Sequence, residues 1–221
     1  MDSTIYKASI YKGKGIYKTV DGGGGGGGGD TPLPEEYKKL QFIKCSTSSG
    51  TPEISGGGMV INYHDKINLH CFFETSINGT NWMYFFYTWT FEQRSLKFQG
   101  NNQSVAHKWN ATTYNEQNTN FTGGDLVIEA GENLNKINGV DYVNNTGIDD
   151  GDKTLGRIFH FALPQNCMAF SFKVFNSADK LKYNLVPAKR VLDSVLGFYD
   201  TINENFIAAI GGWTIPGPEV S

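Results

Sequence analysis

The sequence predicts an all-β protein, an antiparallel sandwich preceded by an extended N-terminal arm. Apolar and polar residues alternate with a period of two in several stretches, which is typical of strands that bury one face. Turn residues rich in Asn, Gly and Asp separate these stretches, and no helical periodicity extends beyond about one turn. Apolar residues make up 39% of the chain and aromatic residues 14%, which is enough for a buried core.

The arm, residues 1–21, carries an irregular repeat of Ile-Tyr pairs: Ile5 and Tyr6, Ile10 and Tyr11, Ile16 and Tyr17. These residue types favour extended backbone, and Gly13-Lys14-Gly15 can turn one strand back on another. An isolated hairpin is marginal in water. Two interpretations stay open: a basic leader without fixed structure, or a docking peptide that adds strands to a partner's sheet and fills its pockets with Ile and Tyr.

An unbroken glycine run, Gly22–Gly29, follows the arm. Polyglycine has no side chain to bury and much backbone entropy to lose, so it predicts a tether. Pro32 and Pro34 stiffen the backbone behind it, so residues 22–32 are expected to form a tether and spacer. This tether favours the docking interpretation of the arm, because a tether is useful only when both of its ends are held. Residues 33–221 suffice for one β domain.

Within this domain, Glu35–Lys39 is expected to make one helical turn before a strand at Leu40–Lys44. Three later stretches, Lys66–Glu74, Arg157–Leu163 and Met168–Phe175, alternate clearly enough to assign a face. The residues expected on their buried faces are Ile67, Leu69, Cys71 and Phe73, then Phe159, Phe161 and Leu163, and finally Met168, Phe170, Phe172 and Val174. His70 and His160 are expected on outer faces.

The stretch Asn81–Phe91 is apolar on both of its faces. Alternation places Trp82, Tyr84 and Phe86 on one face, and Met83, Phe85, Tyr87, Trp89 and Phe91 on the other. A sandwich strand has one core face, so the second apolar face needs a cover. Either loops of the same chain cover it, or it is an exposed surface for sugar stacking or for a neighbouring subunit. Trp82, Tyr84 and Phe86 are the residues expected on that oligomer or glycan surface.

Composition excludes some classes of function. The net charge of −3 argues against nucleic acid as a partner, because phosphate binding requires clustered Lys and Arg. No apolar run approaches the roughly 20 residues of a membrane span. The first residues, Met1 to Ile5, lack the pattern of a secretory signal, so we expect the chain to stay in the cytosol where it is made.

No constellation of residues points to catalysis or to a cofactor. A retaining glycosidase needs two carboxylates about 5–5.5 Å apart, whereas Glu74, Glu92 and Glu129 are solitary on their strands. Asp149, Asp150 and Asp152 are weak candidates for a Ca²⁺ loop, and a solvated turn is the favoured interpretation. The three cysteines, Cys45, Cys71 and Cys167, lie far apart and suggest buried small apolar residues rather than a disulfide or zinc site.

Several motifs resemble one domain family. They are Leu33–Ile54 (LPEEYKKLQFIKCSTSSGTPEI), Lys136–Tyr142 (KINGVDY), Arg157–Leu163 (RIFHFAL), Phe170–Arg190 (FSFKVFNSADKLKYNLVPAKR), Val195–Ile207 (VLGFYDTINENFI) and Gly217–Val220 (GPEV). Together they are similar to the laminin-G-like, concanavalin A-like domain of virion proteins from phages of gut Bacteroidetes, such as the crAss-like group. The usual Gln-Tyr-Ile-Asp-Thr-Gly segment is replaced here by Pro52–Gly56.

The resemblance implies a jelly-roll sandwich on a phage fibre or decoration protein. It implies a location in the virion, after assembly in the host cytoplasm, and other virion proteins as partners of the arm. It also implies possible adhesion to host or mucosal glycans, and it does not imply a reaction. Because linked weak sites act at high effective concentration and Asn81–Phe91 is apolar on both faces, we expect a homo-oligomer, a dimer or trimer. We expect no cofactor, nucleic acid or membrane partner. The alternatives are a free lectin-like glycan-binding module and, more remotely, a glycoside hydrolase.

Overall fold

The computed structural model describes residues 9–10, 16–17, 32–45, 52–74, 82–89, 93–99, 104–119, 123–161 and 166–220. These residues form strands, turns and loops without any helix, which confirms the all-β prediction. No helix long and apolar enough to cross a membrane therefore occurs among them. The strands are β1 (Ser9–Ile10), β2 (Ile16–Tyr17), β3 (Tyr37–Lys39), β4 (Ile43–Cys45), β5 (Glu53–Ser55), β6 (Val60–Ile61), β7 (Lys66–Phe73), β8 (Trp82–Thr88), β9 (Arg94–Gln99), β10 (Ser104–Trp109), β11 (Asn115–Asn118), β12 (Gly124–Gly131), β13 (Leu134–Ile137), β14 (Val140–Asp141), β15 (Lys153–Phe161), β16 (Cys167–Phe175), β17 (Leu181–Arg190), β18 (Leu196–Asp200), β19 (Asn205–Ile210) and β20 (Trp213–Pro216).

One continuous antiparallel run contains most of these strands. Its order is β14-β13-β12-β7-β16-β17-β18-β19-β5-β15-β8-β9-β10-β11. Strands β3, β4 and β6 pair at the sides of β17, β16 and β15, and β20 pairs with β4. Each end strand, β14 or β11, pairs with one neighbour among the described residues, so the sheet does not close on itself there.

The two halves of this run share a single core. In the spatial order of the run, we call β14, β13, β12, β7, β16, β17 and β18 the first half-sheet. We call β5, β15, β8, β9, β10 and β11 the second half-sheet. Phe73 of the first packs against Phe161 and Phe85 of the second, with ring centroids 5.7 and 6.5 Å apart. Phe159 and Phe198 stack across the same core at 6.2 Å. Each fully buried phenyl ring contributes about 1.5–3 kcal/mol to the hydrophobic stabilisation of the fold.

Strand β7 follows the expected alternation. Ile67, Leu69, Cys71 and Phe73 are at most 2% exposed, and His70 lies on the opposite face. Phe159 and Phe161 of β15 are also buried as expected; Leu163 lies outside the described residues. The turn at Asn138-Gly139 joins β13 to β14 with both residues at positive φ, as an Asn-Gly hairpin turn requires.

Strand β16 departs from the expected alternation because it contains a bulge. Ala169 pairs with Cys71 and Ser171 with His70, so Phe170 is an extra residue between them. The bulge turns Phe170 to the outer face, where its ring lies 4.5 Å from the ring of His70 and 5.8 Å from that of Phe42. The prediction that Met168 and Phe170 share a core face with Phe172 and Val174 is therefore wrong. Met168 is completely buried but stands opposite Phe72, on the same side of the sheet as Phe170.

The expected helical turn at Glu35–Lys39 is also wrong. Glu35 and Glu36 form a turn in which the amide of Tyr37 donates a hydrogen bond to the carbonyl of Pro34 at 2.9 Å. From Tyr37 the chain is extended and pairs with β17 as strand β3. Pairing with a neighbouring strand supplies more backbone hydrogen bonds here than one isolated helical turn would.

In the arm, β1 and β2 pair antiparallel, with Ser9 opposite Tyr17 and Ile10 opposite Ile16. Antiparallel pairing of the segments on either side of Gly13-Lys14-Gly15 agrees with the expectation that one strand turns back on the other; the turn itself lies outside the described residues. The docking candidates Ile5, Tyr6 and Tyr11 and the glycine run lie outside the described residues.

Candidate functional site

A bulge in β8 decides which of its aromatic side chains reach the surface. Tyr84 pairs with Lys97 of β9 and Phe86 pairs with Leu96, so Phe85 is an extra residue between them. As a result Phe85 and Phe86 both lie in the core and are completely buried, whereas Tyr84 is partly exposed. The prediction that Phe86 shares a face with Tyr84 is wrong, because the bulge reverses the alternation after Phe85.

The same reversal places Tyr87 on the face of Tyr84 instead of with Met83 and Phe85. Met83 belongs to the core. The structure describes no side-chain position for Trp82, so its predicted place on this surface stays a prediction.

Two rows of side chains cross the outer face of the second half-sheet. Each row joins residues that are directly opposite on neighbouring strands and therefore share a face. The first row runs Ser55, Arg157, Tyr87, Ser95, Lys108, and the second runs His160, Tyr84, Lys97, Ala106, Glu116. We call this surface, together with Glu53, Trp89 and Tyr114, the outer aromatic face.

Trp89 is the most exposed aromatic residue of this face, at 52% of its surface. It follows β8, where its amide donates to the carbonyl of Thr154 at 3.0 Å. The ring lies over Gly156: a Cβ at Gly156 would be 3.0 Å from Trp89 Cδ2 and 3.1 Å from Tyr87 Cε2. Gly156 is the extra residue of a bulge in β15, between Leu155 and Arg157. A glycine in the bulge thus makes room for two aromatic rings.

Arg157, Glu53 and His160 form a charged cluster beside Trp89. The Arg157 guanidinium carbon is 4.5 Å from the centroid of the Trp89 ring, within cation–π range. Glu53 Oε2 lies 3.1 Å from Arg157 Nε and 3.2 Å from His160 Nδ1. All three side chains are partly exposed, at 22–24% of their surface. The cluster is therefore reachable by a ligand.

A second cation–aromatic cluster continues the face over β9 and β10. Lys97 Nζ lies 3.6 Å from the ring centroid of Tyr114 and 5.4 Å from that of Tyr84. Lys108 Nζ is 5.5 Å from the Tyr114 ring. The Tyr114 hydroxyl and Ser95 Oγ share a hydrogen bond of 2.7 Å. These contacts fix the Tyr114 ring over the sheet and keep positive charge next to it.

The arrangement suits recognition of a flat, polar ligand. Exposed aromatic rings stack on the apolar faces of sugars, while Arg, His and Glu side chains exchange hydrogen bonds with hydroxyl groups. The strands hold these groups at fixed spacing, which limits the entropy lost on binding. Sequence reasoning identified Tyr84 but missed Arg157 and Glu53, because cross-strand neighbours far apart in sequence leave no local signal.

The Asp149, Asp150 and Asp152 loop is held by cations and amides. Asp150 pairs with Lys153 at 2.9 Å and accepts from Asn110 Nδ2 at 2.5 Å, and Asp149 accepts from the amide of Gly151 at 2.9 Å. Asp152 accepts a hydrogen bond from Asn62 Nδ2. Among the residues that the structure describes, no group of three His, Cys, Asp or Glu side chains is placed to hold a metal ion.

Arg94, which sequence reasoning missed, anchors this loop from inside. It is completely buried and donates to the carbonyl of Ile61, to that of Gly151 at 2.5 Å and to Asn110 Oδ1 at 2.9 Å. Burial lowers the pKa of its guanidinium, while Asp150 and Asp149 act in the opposite direction. Asp150 and Asp149 therefore offset part of the desolvation cost of the buried cation.

The other candidate acids lie apart from the outer aromatic face. Glu74 pairs with Lys44 at 2.5 Å. Glu129, on β12, stands opposite Asn68 of β7 and Lys136 of β13. Glu92 lies outside the described residues. On the first half-sheet, His70 Nε2 is 2.7 Å from Asp125 Oδ1.

The three cysteines are completely buried, as predicted, and they converge in the core. Cys167 stands opposite Cys45, and Cys71 lies on the other neighbouring strand, opposite Ala169. Burial, followed by hydrogen bonds with Cys45 and Cys71, raises the pKa of the Cys167 thiol well above its ordinary value. The Cys167 thiol therefore stays protonated, and the three buried side chains serve as packing groups.

Comparison with protein-family models, with curated proteins and with solved structures finds no match to this chain.

Proposed function

We propose that this chain is a non-enzymatic structural protein of a phage particle, a head or tail fibre or decoration protein that adheres to glycans. In this proposal residues 33–221 form a laminin-G-like jelly-roll sandwich that presents the outer aromatic face. The arm docks on other virion proteins, and the glycine run is the tether between them. The motifs named above and the order of arm, tether and domain support the virion part of the proposal.

The outer aromatic face carries the glycan-binding part of the proposal. Trp89 is about half exposed, rests on Gly156 and is flanked by the Arg157–Glu53–His160 cluster. Tyr84 and Tyr87, both partly exposed, lie on the same face, and a contiguous exposed aromatic surface is typical of a binding site. Fixed rings beside hydrogen-bonding side chains are the combination that sugar binding uses.

A glycosidase function is less well supported by the same surface. Glu53 and Glu116 are the carboxylates of the outer aromatic face among the described residues, and their strands, β5 and β11, are five strand spacings apart. At about 4.8 Å per spacing this is roughly 24 Å along the sheet, far beyond the 5–5.5 Å of a retaining pair. We expect no release of reducing sugar from laminarin, agar, mucin or capsular polysaccharide.

Removal of the Trp89 ring tests the glycan-binding proposal. The full chain and its Trp89→Ala variant are applied to an array of host and mucosal glycans, with Leu192→Ala as the control. Leu192 is 90% exposed in the turn between β17 and β18 and is absent from the outer aromatic face. Trp89→Ala is expected to lose binding at least about tenfold, since a buried stacking contact is worth roughly 1.5–3 kcal/mol. Equal binding by the wild type and Trp89→Ala would contradict the proposal.

Two further observations separate the remaining alternatives. A fibre protein is detected by mass spectrometry in purified particles, whereas a free lectin-like module is not. Multivalent display strengthens weak sites through effective concentration, so we propose a dimer or trimer in solution. A monomeric mass by light scattering at tens of micromolar protein would contradict the oligomer.

A further inference from the structure

The outer aromatic face has the opposite charge to the chain as a whole. Among the described residues its cations are Lys97, Lys108 and Arg157, and its carboxylates are Glu53 and Glu116. Glu116 accepts a hydrogen bond from Ser104 Oγ at 2.7 Å. With His160 neutral the face carries one excess positive charge, and with His160 protonated two, whereas the chain carries −3. This asymmetry favours an anionic ligand at this face.

Arg157 retains hydrogen-bonding capacity that the protein itself does not use. Its Nε faces Glu53 at 3.1 Å, and its Nη1 donates to the carbonyl of Gly156 at 3.1 Å. Guanidinium offers five N–H donors in a planar fork, and Nη2 has no hydrogen-bond partner among the described residues. A planar fork matches a carboxylate better than it matches a single hydroxyl.

The positions of Arg157 and Trp89 together define the ligand. Their groups are 4.5 Å apart, measured from the guanidinium carbon to the ring centroid. The guanidinium thus contacts the ring, and about half of the Trp89 surface stays exposed. A sugar that stacks on the exposed part of Trp89 therefore has ring substituents within reach of Arg157. The substituent that the guanidinium binds most strongly is a carboxylate.

We infer that the outer aromatic face binds acidic sugars, with Arg157 pairing to the carboxylate of a glycan residue whose ring stacks on Trp89. The inference rests on the proposed glycan-binding function and narrows it to carboxylated glycans. Glu53 competes with the ligand for Arg157 and keeps the guanidinium in position when the face is empty. Uronic acid polymers and sialylated glycans both supply this chemistry.

Isothermal titration of the full chain with matched oligosaccharides tests this inference. The probes are tetragalacturonate, its methyl-esterified form with the same rings but no charge, and 3′-sialyllactose with lactose as its neutral counterpart. The acidic form of at least one pair is expected to bind about tenfold or more tightly than its neutral form, as a charge-assisted contact predicts. The pair that shows this preference identifies the source of the carboxylate.

Three variants assign the preference to the proposed residues. Arg157→Gln is expected to bring the acidic-to-neutral affinity ratio close to one while changing neutral binding less than about threefold. Glu53→Gln removes the competing carboxylate and is expected to raise affinity for the acidic probe, a gain that misfolding cannot produce. Lys173→Gln, on β16 of the first half-sheet, is the matched control and should leave the ratio unchanged.

The outcomes separate the inference from the function on which it rests. Equal affinity for acidic and neutral probes, or a preference that survives Arg157→Gln, overturns the acidic-sugar inference and leaves glycan binding standing. Loss of all binding in Trp89→Ala, together with a wild-type preference for the acidic probe that Arg157→Gln abolishes, supports both. Absence of binding to every acidic and neutral probe, at millimolar concentration and with a folded protein, overturns both.

Discussion

At the residue scale, Gly156 determines whether Trp89 can lie against the sheet. Any Cβ there would approach Trp89 Cδ2 to 3.0 Å and Tyr87 Cε2 to 3.1 Å. Both neighbours are rigid rings, so one of them has to move. The residue therefore shapes the outer aromatic face without touching a ligand.

We expect Gly156→Ala to shift the Trp89 ring and to weaken glycan binding severalfold while the protein stays folded, because the added methyl group crowds the Trp89 and Tyr87 rings. Tryptophan fluorescence and the glycan titration measure the two effects. Gly58→Ala is the matched control: no atom lies within 4 Å of its Cβ position, although its φ of 79° makes alanine strained. It should cost stability by about 1 kcal/mol and leave both readouts unchanged. An unaltered emission spectrum in Gly156→Ala would contradict the proposed packing.

His107 makes the stability of the fold depend on pH. Burial lowers its pKa to about 4, and the neutral ring accepts a hydrogen bond from the amide of Asn145 at 3.2 Å. The unfolded chain binds a proton at this residue below pH of about 6.5, which the folded chain does not. Stability is therefore fully present above that pH and falls as the pH drops toward 4.

His107 is expected to lower the free energy of unfolding by roughly 3 kcal/mol between pH 7 and pH 4, since each unit of pKa difference is worth about 1.4 kcal/mol. Urea unfolding at several pH values measures it, with His107→Asn compared against the wild type and against His64→Asn, whose side chain is 60% exposed. The free energy of unfolding of His107→Asn should fall less steeply with decreasing pH than that of the wild type or of His64→Asn. A decline of the same steepness in all three proteins would refute the assignment to His107.

At the element scale, period-two alternation predicts faces correctly only where the strand is regular. It succeeds for β7, whose polar and apolar residues differ clearly. It fails for β8 and β16, where bulges at Phe85 and Phe170 each add one residue. An added aromatic residue in an aromatic strand leaves the hydrophobic pattern unchanged, so the sequence carries no signal for the bulge.

The bulge in β8 predicts unequal effects of two substitutions that simple alternation treats alike. Phe86→Ala removes a completely buried ring that contacts Trp109 at a centroid distance of 6.4 Å. This substitution should lower the free energy of unfolding by about 3–5 kcal/mol. Tyr84→Ala removes a partly exposed ring and should cost no more than about 1.5 kcal/mol. Urea denaturation at neutral pH measures both. Costs that agree within error would mean that the two rings share a face and that the bulge is absent.

At the scale of the whole molecule, the sequence predicted the fold class but not how the candidate site is assembled. The all-β class, the β7 face and the Asn138-Gly139 turn follow from local rules of alternation and turn chemistry. The outer aromatic face depends on β5, β8 and β15 becoming neighbours, although these strands are far apart along the chain. Such pairing is decided by the packing of the core, which no local pattern records.

The proposed division into arm, tether and domain leads to the last prediction, that the arm attaches this protein to the proposed phage particle. Its two short strands pair only with each other among the described residues, with Ile10 opposite Ile16. A two-stranded hairpin is marginal in water without a surface to cover it, so its Ile and Tyr side chains need a partner. Adding strands to a neighbouring sheet supplies that surface and satisfies the outer backbone groups.

Changing Tyr6, Tyr11 and Tyr17 together to Ser should remove the protein from the particle and leave the β domain folded. Each buried tyrosine contributes about 1.5–3 kcal/mol, so the three losses weaken attachment by roughly a thousandfold or more. Shortening Gly22–Gly29 to three residues is the control, because a tether changes reach and not contact energy. The measurement is the amount of each variant that sediments with assembled particles, with circular dichroism as the check on folding. Full retention of the triple variant would show that the β domain makes the attachment and that the arm is the end left free.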